Sequence, residues 1–254
     1  MKSTYLTAAA AVLVAGSAFA GVSTTNKIGR IKVDSGMANT IIALPFTTIG
    51  ELDSTQMNAT NYVLTTNLKT GDTLTEMSVE GSSYIWSGWT LLDDGGPWTA
   101  VTQSEGSNTR PPSATAVFNR GRALMLKRTG YNPTTSGPFY IIGQIAMNGC
   151  SFTPVANSGS ARYTPTLVAN PYPHSITLQA LCGYVTGTPS ANDQIVLGTG
   201  ETAAYDAVAA SWKYVVNAAY AEWPTTDVPT IPAGVGFWYR SKGSSVPTFT
   251  FPAE

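Results

Sequence analysis

The stretch Ile41-Ile42-Ala43-Leu44-Pro45-Phe46 returns later in the chain as Leu167-Val168-Ala169-Asn170-Pro171-Tyr172. Two apolar residues, an alanine, a variable position, a proline and an aromatic recur in that order. In both copies a run of apolar residues meets a proline. Its ring fixes φ and offers no N–H to a ladder, so the chain must leave its sheet there. The aromatic that follows is placed to cover the core edge opened by that exit. Asn170, one residue before a proline, is biased toward extended backbone, and its amide is free to bond nearby main chain.

Four further landmarks follow in the same order. Gly71-Asp72-Thr73-Leu74 matches Asn192-Asp193-Gln194-Ile195, and Trp89-Thr90-Leu91-Leu92 matches Trp212-Lys213-Tyr214-Val215. Gly96-Pro97-Trp98 matches Ala221-Glu222-Trp223. Asn119-Arg120-Gly121-Arg122-Ala123-Leu124-Met125-Leu126-Lys127 matches Pro232-Ala233-Gly234-Val235-Gly236-Phe237-Trp238-Tyr239-Arg240. A shared order of five landmarks in one chain reads as an internal duplication. The offset is 126 at Pro45/Pro171 and 113 at Gly121/Gly234, so the first copy is about 13 residues longer. The Ser/Asn/Pro-rich stretch 102–112 is the expected place for that excess.

Outside the first twenty residues helical periodicity is scarce. Short runs rich in Val, Ile, Thr, Tyr, Trp and Phe alternate with Gly, Pro, Asn, Asp and Ser clusters, the pattern of an all-β chain. Strands are expected over 27–33, 40–46, 62–66, 84–92, 123–127, 139–145, 166–169, 194–197, 212–217, 236–240 and 248–251. One or two helical turns are expected in each of 53–61, 176–182 and 201–210. The expected fold class is all-β: two tandem, related, jelly-roll-like β-sandwich domains after a cleaved signal peptide. The divisions are 1–20 for the signal, 21–148 for the first repeat, a Gly/Ser/Asn-rich linker over 149–160, and 161–254 for the second repeat. In the strand after Pro232-Ala233-Gly234, Phe237 and Tyr239 share one face and Trp238 and Arg240 the other. Gly236 marks a bulge or a close approach of another backbone.

The opening Lys27-Ile28-Gly29-Arg30-Ile31-Lys32-Val33, the Ala169-Asn170-Pro171-Tyr172-Pro173 run, the Trp-centred strand and the closing 231–241 segment resemble the repeat modules of uncharacterised bacterial secreted and surface proteins. There a "(G/A)NPYP" start and a "(P/A)G.GF" finish bracket a β-rich module. The resemblance covers most of 166–252 and, more weakly, 27–143. The first copy departs from it, with Leu44 in place of the asparagine and Leu124-Met125 in place of the aromatic pair. It implies an extracytoplasmic β-module of adhesin-like or envelope chains, and it brings no catalytic residue with it.

Composition narrows the function classes. Lys and Arg number 14 against 15 Asp and Glu, a net charge of -1, and only 11% of residues are charged, against about 25% in an average domain. No basic patch suggests nucleic acid as a partner. Hydrophobic residues make up 43%, enough for a core. Lys2, the apolar run 6–14 and Ala18-Phe19-Ala20 form a signal peptide with a small-residue cleavage site. No later run approaches the length of a membrane-spanning helix. The expected location is outside the cytoplasm: extracellular, at the cell surface, or in the periplasm.

The candidate residues are few. Cys150 and Cys182 are the two cysteines. In an exported chain they form either a disulfide, stapling the linker to the second repeat, or two buried thiols. His174, the single histidine, follows Pro173 in a loop and suits a turn-stabilising role better than catalysis. Glu76, Glu80, Asp93, Asp94, Glu201, Asp206 and Glu222 are scattered over turns and do not form the carboxylate pair of a glycosidase. Asp93-Asp94-Gly95-Gly96 lacks the spacing of a calcium loop and reads as a hairpin turn. Gly198-Thr199-Gly200 is too generic for a phosphate cradle. Six Trp and 12 Tyr supply flat faces that suit sugar rings or a sandwich core. Recurrence of Trp89 and Trp212 favours a core role, which leaves Trp86 and Trp98 as the expected ligand platform. No enzyme activity, metal or cofactor is expected. The expected role is structural or adhesive at the bacterial envelope, with the chain itself, other envelope proteins or polysaccharide as partner, and a carbohydrate-binding module as the alternative. The polar extension 21–27 suits either a free terminus or pairing with a neighbour's sheet edge.

Overall fold

The structure is a computed structural model that describes residues 28–33, 39–47, 56–58, 63–64, 67–80, 83–91, 98–100, 109–110, 117–132, 136–146, 148–159 and 162–253. The expected signal 1–20 and the extension 21–27 lie outside them. Regular structure in the described residues is almost all β-strand, in antiparallel sheets with one parallel pair.

In the first half the strands are β1 Ile28–Val33, β2 Asn39–Ala43, β3 Phe46–Thr47, β4 Gln56–Asn58, β5 Val63–Leu64, β6 Thr73–Glu80, β7 Ser83–Leu91, β8 Trp98–Ala100, β9 Thr109–Arg110, β10 Val117–Asn119, β11 Ala123–Lys127 and β12 Phe139–Ile145. The second half holds β13 Cys150–Phe152, β14 Thr164–Ala169, β15 Ile176–Thr177, α1 Leu178–Gly183, β16 Val185–Thr186, β17 Gln194–Val196, β18 Thr202–Asp206, β19 Ser211–Val216, β20 Ala219–Ala221, β21 Thr230–Ile231, β22 Gly236–Ser241 and β23 Thr248–Phe251.

The large sheet of the first half runs β2-β11-β6-β7-β8, and that of the second β14-β22-β17-β18-β19-β20. Smaller sheets are built around β12, which pairs β1 and β5, and around β23, which pairs β13 and β16. A two-stranded sheet completes each half, β10-β4 in one and β15-β21 in the other. Among the described residues the first half adds β3 on β12 and β9 on β7, and the second adds α1 and β20. Buried side chains from both sheets of a half share one cluster. Leu74, Leu124 and Leu126 meet Ile31, Val33, Phe139 and Ile141 in the first. Ile195, Phe237 and Tyr239 meet Phe249 and Phe251 in the second. As the alternation predicts, Phe237 and Tyr239 are buried while Trp238 and Arg240 are half-buried on the other face.

Ladder registers give residue-level equivalences and correct the sequence alignment. Leu126 lies opposite Leu74 as Tyr239 lies opposite Ile195. Leu74 lies opposite Trp89, but Ile195 lies opposite Ala203. Leu91 lies opposite Trp98 as Tyr205 lies opposite Trp212. Trp212 is therefore the counterpart of Trp98, and the expected match of Trp89 to Trp212 is one strand out. Most of the extra length sits in the β6–β7 hairpin, whose ladder runs on past Leu74 and Trp89 to Glu80 opposite Ser83, whereas that of β17 and β18 ends at Val196 opposite Thr202, and not in 102–112.

Two helical expectations also yield. Residues 202–206 of the stretch 201–210 are strand β18, clamped between β17 and β19, and the stretch 53–61 contains strand β4. Pairing on both sides overrides the helix preference of the alanines. The third expectation, over 176–182, meets α1. Its N-cap Thr177 accepts from the Ala180 N–H at 3.0 Å. Residues 150–152 of the stretch read as a linker form β13, paired with β23.

The halves meet through reciprocal backbone contacts. The Ala43 N–H donates to the Gly234 carbonyl at 2.9 Å, and the Ala169 N–H donates to the Gly121 carbonyl at 3.0 Å. Isolated bridges join Ile42 to Val235 and Val168 to Arg122. In these contacts Ala43 corresponds to Ala169, Gly234 to Gly121, Ile42 to Val168 and Val235 to Arg122. Ile41, Ala43, Met77 and Ala123 pack with Leu167 and Ala169 in one cluster, with Met125 and Trp238 against it. Here the close approach expected at Gly236 is found. A Cβ on it would stand 2.7 Å from the Ala123 Cβ and 2.8 Å from the Val168 carbonyl oxygen.

Candidate functional site

The expected ligand platform, Trp86 and Trp98, falls on β7 and β8. Their side chains, like that of Trp89, lie outside the described residues. The described aromatic surface is in the second half. β18 and β19 run at the outer end of the large sheet, and Tyr205, Trp212 and Tyr214 point to its core side. Tyr205 and Trp212 sit opposite one another in the ladder, and Tyr214 follows two residues on. The Trp212 ring stands edge-on to Tyr205 at 5.7 Å and to buried Tyr239 at 6.5 Å. Trp223 leans on Tyr214 at 5.9 Å, tilted by 31°. All four are half-buried. Trp212, Tyr214 and Trp223 are partly buried and pack against the second core. The result is a ledge of rings with one side in the core and the other in solvent.

Trp212 packs against the second core, in keeping with its expected core role, and Tyr205 and Tyr214, which the sequence did not single out, share its face. The signal was present in the alternation Trp212-Lys213-Tyr214, which places two rings on one face. It was obscured by reading 201–210 as helical.

The buried polar residues are structural ties. Asp72 accepts from the Lys69 N–H at 2.9 Å and the Thr129 N–H at 2.6 Å. Asp193 repeats this with the Ser190 N–H at 2.9 Å and the Lys242 N–H at 2.7 Å. Each aspartate follows a residue with positive φ, Gly71 at 89° and Asn192 at 66°. Each ties a turn to the end of the strand beside it. Tyr239 donates its hydroxyl to Asp193 as well. Burial pushes the Asp193 carboxyl above its ordinary range, against those hydrogen bonds, and burial together with the Asp193 carboxylate raises the Tyr239 hydroxyl. Asn170, fully buried, donates to the carbonyls of His174, Ile231 and Pro232 and accepts from the Tyr172 N–H at 3.0 Å. His174 stacks on Tyr172, ring centroids 5.3 Å apart, and so closes that turn.

Cys150 and Cys182 are free thiols, which overturns the disulfide expectation in favour of the second reading. Cys150 lies on β13 and Cys182 in the last turn of α1, and each fills the margin of the second core from its own side. Burial raises both thiols, only partly countered at Cys150 by the Arg120 guanidinium. A raised thiol is a poor nucleophile at neutral pH.

The acidic residues stay in separate turns. Glu76 pairs with Arg122, Glu201 accepts from Thr199, and Asp206 caps the Val208 and Ala209 N–H groups. Glu222 is exposed; Asp93, Asp94 and the Glu80 side chain lie outside the described residues. Gly198-Thr199-Gly200 is a hairpin turn with Gly200 at φ 106°. Among the described residues no three His, Cys, Asp or Glu side chains gather to hold a metal ion, and no helix is long and apolar enough to cross a membrane. No family model, curated protein or solved structure matches the chain.

Proposed function

We propose that the protein is an exported, non-enzymatic structural or adhesive component of the bacterial envelope, made of two tandem, related β-sandwich units. The reciprocal interface carries this reading. Two halves with the same strand order lock through backbone hydrogen bonds and small side chains, an arrangement that suits a rigid load-bearing body. The buried polar side chains named above spend their hydrogen bonds on turns and strand ends. Fractionation of the native cell, with protease shaving of intact cells, tests the location. Release of the protein with the surface or periplasmic fraction is expected; retention in the cytoplasm refutes the reading.

A second reading, a carbohydrate-binding module, is favoured by the ledge of Tyr205, Trp212, Tyr214 and Trp223. Rings half in solvent at a sheet end suit the apolar faces of pyranose rings. A glycan array read with intrinsic tryptophan fluorescence tests it. Quenching that disappears in Trp223→Ala supports the module, and absence of quenching by every glycan removes it.

A further inference from the structure

The contact between the halves is built from small side chains and reciprocal backbone hydrogen bonds, and it is selective. Across it Ala123 is the counterpart of Gly236, Met125 of Trp238 and Ile41 of Leu167. A Cβ on Gly236 would come within 2.7 Å of both the Ala123 Cβ and an Ile41 methyl. Were a first half to meet another first half in this way, two alanine methyls would fall where the structure accommodates one methyl and one hydrogen. That is steric exclusion of the homotypic pair. First half against second half satisfies every contact.

The connection between the halves is short. β12 ends at Ile145 and β13 begins at Cys150. The first half grips the connection through Arg120, whose guanidinium donates to the Asn148 carbonyl. Gly149 is pressed against the second half, where a Cβ would lie 2.5 Å from the Phe251 carbonyl oxygen. A tight hinge beside a self-contained interface is the arrangement in which exchange between copies costs least, since the exchanged form remakes each contact that the closed form loses.

We propose that this interface also joins separate copies of the chain, the first half of one copy docking on the second half of another by exchange about 146–149. Because the pairing is heterotypic, two copies close into a dimer, and a chain that fails to close adds further copies head to tail. The inference stands on the interface alone and does not depend on the envelope role.

The test uses the full chain, unfolded and refolded at low and at high protein concentration, with mass read by light scattering after chromatography. The native chain should give the single-chain mass from dilute refolding, and twice that mass with higher multiples from concentrated refolding. A flexible Gly/Ser insert between Asn148 and Gly149 should abolish the multiples, because a longer hinge lets each copy close on itself. Hydrogen exchange identifies the contact: in exchanged multimers the Ala43 and Ala169 amides stay as protected as in the monomer. Single-chain mass at every concentration, both for the native chain and for a variant shortened by two residues within 146–149, overturns the proposal. So do multimers that newly protect the outer strand Ala219–Ala221 or that persist undiminished with the insert.

Discussion

The two halves solve one folding problem with different side chains. At the counterpart positions Leu124 and Phe237, both fully buried, the first half spends an aliphatic residue and the second an aromatic. The same substitution separates Leu126 from Tyr239, and with it arrives a hydroxyl that the second half directs to Asp193. At the turn after the first strand of the large sheet, Leu44 sits where the second half buries Asn170 and satisfies three carbonyls. What stays constant is backbone chemistry: the aspartate tie, the positive-φ residue before it, the proline exit and the exchanged N–H groups at the seam. Register and turns are thus held by hydrogen bonds that tolerate little change, while core volume is met by whichever apolar set fits.

The comparison can be broken at the core first. Phe237→Ala should cost about 3–5 kcal/mol and Leu124→Ala about 2–5 kcal/mol in urea unfolding. Each should shift one shared transition, because the seam couples the halves; a two-step curve with only one step displaced would show that they unfold separately. At the seam, Gly236→Ala should cost about 1–3 kcal/mol through overpacking. Ala123→Gly in the same chain should recover part of that loss, and strict additivity in a double-mutant cycle would mean that the two positions do not share a contact.

The aspartates sharpen the comparison. Asp72→Asn and Asp193→Asn should each cost about 1–3 kcal/mol by leaving a buried N–H poorly accepted. Asp193 also accepts from a tyrosine hydroxyl, and burial raises its carboxyl. A raised folded value means that the native state binds the proton more readily. Its contribution is therefore complete below the ordinary aspartate value of 3.8 and declines as pH rises through the higher folded value. The Asp193→Asn penalty, measured in urea melts across acid pH, should be largest in strong acid and shrink toward neutrality. The smallest effect concerns the thiols. Intact mass after alkylation in denaturant should count two free cysteines, and in the native state both should react more slowly than a free cysteine at pH 8. One disulfide, or unretarded labelling, would refute the burial argument.

Much of the fold was legible. Strands 123–127, 139–145 and 248–251 agree residue for residue with β11, β12 and β23, where apolar and β-branched residues dominate and burial alternates throughout β23 and most of β12. The landmark Asp72/Asp193 was visible as a repeat, but its work was not, since Thr129 and Lys242 are far away in sequence. The tryptophans misled. Identity of residue type paired Trp89 with Trp212, whereas register, which depends on hairpin length, pairs Trp98 with Trp212. β18 was lost because its alanines carry no strand signal and only its two neighbours make it a strand. The ring ledge was lost with it.

In each half the strand at the centre of the smaller sheet comes last: β12 closes on β1, and β23 closes on β13. A nascent half therefore waits with its opening strand unpaired until its closing strand has been synthesised, so each half completes late and as a unit. The ribosome must deliver nearly the whole of a half before that half can begin to hide its first strand from a holdase or a protease.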